Sequence, residues 1–307
     1  MTSKKLYLLS IGILLILSMT GQDTQSRECF LSDTIPFALT DHNNIIIDAV
    51  LNQADTIKLM FHTAANDISL IEASTEALNS LIWDKDVEEV KSWGGSGEQR
   101  TSPNNTLNIG QMQWDSLLIW ESRHSGPTSD GKFGPNLFSD RSIEIDFESS
   151  HLIVHKELPA KVTNYEKIPI QYENGFMFVE ANSLIDSVEI KNRYLLHSGY
   201  AGAVLLDDLF VQENKVSGQI KITDESELKD SQGNILKTKK GILPKFLMGK
   251  YEFNNIPVGF FEGAIERQKM SVIGGNILKR FNLIIDSKRE NLYIKSNGLS
   301  LLSYSNG

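Results

Sequence analysis

Two short stretches 135 residues apart carry the same kind of chemistry. Phe61-His62-Thr63-Ala64 is matched by Leu196-His197-Ser198-Gly199, so each has an apolar residue, a histidine, a hydroxyl residue and a small residue in that order. Histidine titrates nearest neutrality of all side chains. Two imidazoles brought together can hold a neutral N–H···N contact. If one ring is protonated, the pair can act as base and acid. The same two rings are also good ligands for Zn²⁺ or Cu²⁺. A metal would need a third ligand. Asp207 and Asp208 follow His197 closely, but nothing in the sequence places them beside the pair. His62 and His197 would be the ligands if a metal is bound at all, and no other cofactor is expected.

Other polar residues have plainer readings. His151 and His155 lie four apart on an expected strand and so share a face, as exposed hairpin residues would. Asp146 and Asp286 stand before turns, where a short carboxylate bonds its own backbone. His124 and Asp130 fall in a Gly/Ser/Pro loop, and Glu262 and Glu266 flank Gly263 in a polar one; both loops are candidates for ligand contact. Asn104-Asn105-Thr106 is a glycosylation sequon whose meaning depends on the source.

The matching tetrapeptides belong to a longer internal repeat. Gly274, Asn276, Leu278, Leu283, Ile285, Asp286, Leu292 and Ile294 follow Gly134, Asn136, Phe138, Ile143, Ile145, Asp146, Leu152 and Val154 by 140 residues without a gap. Gly249, Tyr251, Phe253 and Ile256 follow Gly110, Met112, Trp114 and Leu117 by 139, and Glu227-Leu228-Lys229 follows Glu89-Val90-Lys91 by 138. The offsets rise in order along the chain, as two diverged copies with small insertions would give. Each copy is built mainly of short alternating or apolar runs bounded by turn residues, the mark of β-strands. Examples are Ile57 to Phe61, Leu117 to Trp120, Tyr194 to Leu196 and Leu283 to Ile285, and each copy closes with a hairpin. Helices are expected only over Ile71–Leu81, over Leu205–Glu213 and as a single turn at Asn276–Phe281. The copies divide as an N-terminal lobe, 30–158, and a C-terminal lobe, 164–297, joined by Lys156 to Glu166 with Pro159.

Composition sets outer limits on function. Acidic residues outnumber basic ones by 39 to 30, and no basic cluster is present, which disfavours a nucleic-acid partner. A single cysteine, Cys29, excludes an intramolecular disulfide framework. Lys4 and Lys5 precede an apolar or small run from Leu6 to Gly21, which reads as a secretory signal over 1–21 rather than a retained anchor. Cys29 lies well past that run, poorly placed for lipoprotein processing. The expectation is a secreted or periplasmic protein with no stable membrane insertion once the signal is removed.

The segment Gly274-Gly275-Asn276-Ile277-Leu278-Lys279-Arg280-Phe281-Asn282-Leu283-Ile284-Ile285-Asp286, with the hairpin partner Leu292-Tyr293-Ile294-Lys295, resembles the C-terminal signature of pepsin/retropepsin-type aspartic peptidases. Leu195-Leu196-His197-Ser198-Gly199 and Met60-Phe61-His62-Thr63-Ala64 are similar to the two active-site loops of that family. The resemblance spans roughly residues 40–297 and is nearest to exported two-lobe aspartyl-protease-like proteins of bacteria. It implies an all-β, two-lobe fold with a cleft between the lobes. It further implies that the hydroxyls of Thr63 and Ser198 cross-bond the loops. A flap tip falls near Trp93, Gly94 and Gly95, which would contact substrate, with Ser231-Gln232-Gly233 as its counterpart.

The sequence departs from that family where the chemistry resides. Both positions expected to be aspartate are histidine, His62 and His197, and Ala64 replaces a glycine, so its Cβ is expected to crowd the loop. The family's dyad works because two close carboxylates share one proton, which two imidazoles cannot reproduce. Three functions remain open on the sequence: a non-catalytic cleft that binds an extended peptide, protein segment or surface polymer, a hydrolase in which the His pair activates water, and a metal site; the alternative is histidines simply packed and hydrogen-bonded at the lobe interface.

Overall fold

The computed structural model describes residues 32–305 apart from 85–86, 93–94, 230–234 and 262–267. The signal-like segment, Cys29, Trp93, Gly94, Ser231-Gln232-Gly233 and the carboxylates Glu262 and Glu266 lie outside the described residues.

Among the described residues the strands form three sheets, two of eight strands and one of six. The first eight-stranded sheet runs, in spatial order, Ala38–Leu39, Ile45–Leu51, Asp55–Phe61, Gly131–Phe133, Ile68–Ile71, Met112–Ser122, Gly95–Ile109 and Val87–Ser92. The second runs Gln171–Glu173, Phe176–Ile185, Val188–His197, Ser271–Gly274, Val204–Leu205, Tyr251–Phe260, Ile235–Met248 and Lys221–Lys229. Chain order and spatial order correspond strand for strand, so the internal repeat is a repeat of topology. Each sheet also curls back on itself. Ile45–Leu51 pairs with Gly95–Ile109, and Phe176–Ile185 pairs with Ile235–Met248. The turn glycines Gly110 and Gly249 occupy matching places, at φ +59° and +57°.

The third sheet is shared by the two copies. Its order is Ser32–Pro36, His151–His155, Ser142–Asp146, Phe281–Ile285, Asn291–Ser296 and Glu166–Pro169. At its centre the closing hairpins of the two copies meet, with Ile143 opposite Ile285 and Ile145 opposite Leu283. These side chains join one hydrophobic core that continues into both curled sheets. Arg289, buried in the turn of the second hairpin, donates to the carbonyls of Arg141 and Asp286 at 2.8 Å and of Pro135 and Phe138 at 3.1 and 3.0 Å. Its charge is thus satisfied by backbone from both copies.

The short helices differ from their expected bounds for local reasons. Ile71 completes a strand, and only Glu72–Thr75 is helical. No side chain caps this helix, and the Thr75 hydroxyl turns back to the Glu72 carbonyl at 2.7 Å, a bond that competes with helix propagation. Leu205 belongs to a strand, and the helix begins at Asp208 because Asp207 is its N-cap, its carboxylate accepting the Phe210 N–H at 2.8 Å. The last helix is the single turn Gly275–Leu278. The segment expected as a connection holds a 3₁₀ turn, Ala160–Asn164.

That turn brings a cation to the shared sheet. Glu144 is fully buried, and it meets His155 Nε2 at 2.8 Å and Lys161 Nζ at 2.6 Å. His155 is therefore a partner of a buried carboxylate and not merely an exposed hairpin residue. Burial pushes the Glu144 pKa up, but the hydrogen bonds and charges of His155 and Lys161 outweigh it and hold the pKa below its ordinary 4.5. Burial beside this carboxylate and Asp146 pushes the Tyr165 pKa up to about 12. A depressed carboxylate pKa contributes stability above the unfolded value that is lost as pH falls through the folded one. We expect Glu144→Gln to cost about 1.5–3 kcal/mol at pH 7 and to flatten the loss of stability below pH 4.5. Urea titrations of the two proteins between pH 3 and pH 7 measure both effects.

Candidate functional site

The two His-bearing loops arise at the same place in each sheet. Asp55–Phe61 is flanked by the parallel strand Gly131–Phe133, and the His62 N–H bonds the Phe133 carbonyl at 2.9 Å. The chain then turns, with the Ala65 N–H on the His62 carbonyl at 3.0 Å. In the second copy Val188–His197 lies parallel to Ser271–Gly274, and the Tyr200 N–H bonds the His197 carbonyl at 3.1 Å. Gly134 and Gly274 end the neighbouring strands where no side chain fits: a Cβ would stand 1.7 Å from the Ala65 carbonyl oxygen and 2.3 Å from that of Gly202. These close approaches tie each loop to the strand beside it.

The loops are joined to each other by four reciprocal hydrogen bonds. The Thr63 hydroxyl donates to the Leu196 carbonyl at 2.7 Å and accepts the Ser198 N–H at 2.9 Å. The Ser198 hydroxyl donates to the Phe61 carbonyl at 2.8 Å and accepts the Thr63 N–H at 3.0 Å. All four bonds are buried, so each hydroxyl fills both its roles away from water. Asn44 adds a bond from its Nδ2 to the Ser198 carbonyl at 3.2 Å, and Asn43 another to the Ala201 carbonyl at 2.7 Å.

This brace holds His62 and His197 side by side, with ring centroids 4.4 Å apart and planes inclined at 59°. His62 is 8% exposed, whereas His197 is more open. The Ala64 N–H donates to His62 Nδ1 at 3.1 Å, so the neutral His62 ring carries its proton on Nε2. His197 Nδ1 is buried without a hydrogen-bond partner among the described residues. The tight point of the site is Gly199, where a Cβ would stand 2.3 Å from His62 Cδ2 and 2.4 Å from its Nε2. Ala64, expected to crowd its own loop, instead packs against the apolar cluster of Phe178, Leu195, Leu205 and Val272 in the other copy.

The electrostatics keep both rings neutral. Burial, the neighbouring His197 and the Lys132 charge push the His62 pKa well below its ordinary 6.5. Burial and Lys132 lower His197 to about 4. Near neutral pH the pair is a set of uncharged imidazoles within reach of the Lys132 charge. Among the described residues no third His, Cys, Asp or Glu joins it in a group of three.

The remaining candidates are placed as follows. Gly95 pairs with Ser92 at the described end of the hairpin made by Val87–Ser92 and Gly95–Ile109, and Trp93 and Gly94 are outside the described residues. Asp207 caps its helix and also holds Ser271 Oγ at 2.7 Å and Asn192 at 3.0 Å, a structural role. Asp208 accepts the Gln268 N–H at 3.0 Å. Asp146 takes the N–H groups of Glu148 and Ser149, and Asp286 that of Glu290, as turn aspartates do. Lys132, Asn43 and Asn44 belong to no motif in the sequence. The signal for Lys132 was present in the repeat, where Gly131-Lys132-Phe133-Gly134 matches Ser271-Val272-Ile273-Gly274 and sets a lysine against a valine.

No family model matches the sequence, and no curated protein matches it significantly. Among solved structures the chain is similar to the crystal structure of an aspartic proteinase from Irpex lacteus. The two share 13% identity at a TM-score of 0.57, over 90% of this chain and 100% of the other. The likeness is one of fold: all-β, in two lobes, with few short helices.

Two measurements probe this geometry. Thr63→Val removes the hydroxyl from two buried bonds, and we expect it to cost about 2–4 kcal/mol in denaturant unfolding, since it strands the Ser198 N–H and the Leu196 carbonyl. The histidine pair sets a separate pH window. A lowered folded pKa means that the unfolded chain binds more protons between about pH 4 and 6.5, so stability is full above 6.5 and falls as pH drops toward 4. We expect the double variant His62→Gln/His197→Gln to flatten the pH dependence of Tm in that window, leaving the fall due to Glu144 at lower pH.

Proposed function

We propose that this protein has turned the aspartic proteinase architecture into a peptide-binding cleft that does not hydrolyse by the aspartate route. We infer that His62 and His197 stand where such proteinases hold their catalytic aspartates. The observation that carries the reading is the neutral imidazole pair on the cross-braced loops. A carboxylate dyad needs one ionised partner to draw a proton from water while the other donates. Here a ring whose pKa is near 4 is a weak base at neutral pH, and the nearby ammonium opposes the protonated ring that an acid role requires. What the arrangement keeps is its framework, two curled sheets whose loops meet at one point. Such a framework suits recognition of an extended chain.

We further propose that the chain is exported and acts as a secreted or periplasmic protein. The pattern of Lys4, Lys5 and the apolar run to Gly21 supports this. Among the described residues no helix is long and apolar enough to cross a membrane.

The test is a broad peptide library offered to the purified protein from pH 4 to pH 9, with Zn²⁺ or chelator, and with His62→Ala and His197→Ala as controls. We expect retained peptides and no cleavage above that of the two variants. Cleavage abolished in both variants would replace this reading with a histidine-dependent hydrolase. Loss of that cleavage on chelation would make the hydrolase a metalloenzyme.

A further inference from the structure

Asn43 holds three segments at once. It is buried in a turn, in the left-handed region at φ +59°. Its side-chain amide donates to the Ala201 carbonyl at 2.7 Å and to Ser305 Oγ at 3.0 Å, and its Oδ1 accepts Lys279 Nζ at 2.7 Å. Both N–H donors of the amide are thus in use. Ala201 lies four residues beyond His197, and the neighbouring Asn44 bonds the Ser198 carbonyl. The turn before Ile45–Leu51 therefore grips the second loop, and Ser305 grips the turn.

Ser305 belongs to the segment that follows the closing hairpin. Its first part is the 3₁₀ turn Gly298–Leu301, capped by Asn297, whose Oδ1 accepts the Leu299 N–H at 3.0 Å. Arg280, itself buried, donates from Nη1 to the Ser300 and Leu302 carbonyls at 2.8 Å each, and its guanidinium stacks on Tyr304 at 4.1 Å. Asn276 Nδ2 donates to the Ser305 carbonyl at 3.0 Å. Leu299 and Tyr304 are partly buried against the main core, whereas Leu301, Leu302 and Ser303 are exposed. Polar contacts to Arg280, Asn276 and Asn43 supply the rest of the hold.

The first copy makes the same connection without such a segment. Asn136, the equivalent of Asn276, donates to the Asn66 carbonyl and Oδ1 at 3.3 and 3.4 Å. Asn66 Nδ2 in turn donates to the Asn174 carbonyl, in the opposite turn, at 3.2 Å. Asn66 stands four residues beyond His62, as Ala201 stands beyond His197. The Asn66 side chain thus ties its own loop to Asn136 and to the turn of the other copy. Ala201 has no polar side chain for this task. Ser305 takes the place, with its carbonyl on Asn276 and its hydroxyl on Asn43.

We propose that Gly298–Ser305 is a strap that fixes the His197 loop where the counterpart of Asn66 is missing, so that its seating or release tunes the histidine pair. With the strap seated, Asn43 and Asn276 are both satisfied around the loop. With it released, each loses a partner, Arg280 loses two carbonyls, and the grip of the turn on Ala201 slackens enough to admit water.

The experiment follows the ring resonances of isotopically labelled histidines by NMR from pH 4 to pH 8. A chain ending at Asn297 lacks the strap. We expect the proton affinity of its His197 to rise about tenfold, carrying the pKa from about 4 toward the ordinary 6.5, because burial is the largest cause of the low value. The ring resonances of His155, in the shared sheet, should not move. Ala201→Asn in the shortened chain supplies the side chain that Asn66 supplies in the first copy and should bring the pKa back down. The full-length double variant Tyr304→Ala/Ser305→Ala should move His197 in the same direction by less, and it carries the test if circular dichroism shows the shortened chain unfolded. A His197 pKa unchanged in the folded variant would overturn the inference. Equal displacement of the His155 resonances would overturn it too, since that reports a general loosening. Neither result bears on whether the cleft binds peptide.

Discussion

The exchange of hydrogen bonds between Thr63 and Ser198 is the constraint on which the rest of the site depends. Each hydroxyl donates across to the other loop and accepts from it, so neither loop can shift without stranding two buried polar groups. The exchange also fixes the distance between the residues just before it. Because His62 and His197 immediately precede the bracing hydroxyls, their rings are held 4.4 Å apart without any bond between them. The shared six-stranded sheet and the Arg289 contacts support the same arrangement from below, since both join backbone of one copy to backbone of the other.

Burial then decides what the paired rings can do. An imidazolium inside this site would lose its hydration, stand beside a second ring and face the Lys132 charge, and each of these favours the neutral form. Neutrality leaves no imidazolium to donate a proton, and the lowered pKa values make the neutral rings weaker bases than free imidazole. Gly199 keeps the pair compact, since any side chain there would displace the His62 ring.

Pseudo-symmetry holds in the strand order and is broken in the side chains. Strand order, register, turn glycines and bracing loops correspond between the copies, because a repeated hydrophobic alternation imposes the same sheet twice. Beside the histidines the side chains differ: Phe178, Leu195, Leu205 and Val272 form an apolar cluster in the second copy, where the first copy has Ile46, Met60, Ser69 and Lys132.

Much of this was legible in the residues themselves. Alternation and turn glycines specified strands, the rising offsets specified two copies, and the matched His-hydroxyl tetrapeptides marked the loops, because these are local or periodic properties of the chain. Helix bounds were less legible, since a cap such as Asp207 and a competing bond such as that of Thr75 act over single residues. The tertiary structure alone decided which ring nitrogen of His62 is occupied, that both histidine pKa values fall, and that the Lys132 charge and Asn44 act on the site. Those properties depend on distances between segments far apart in the chain, and on the water that packing excludes, neither of which is written in the order of the residues.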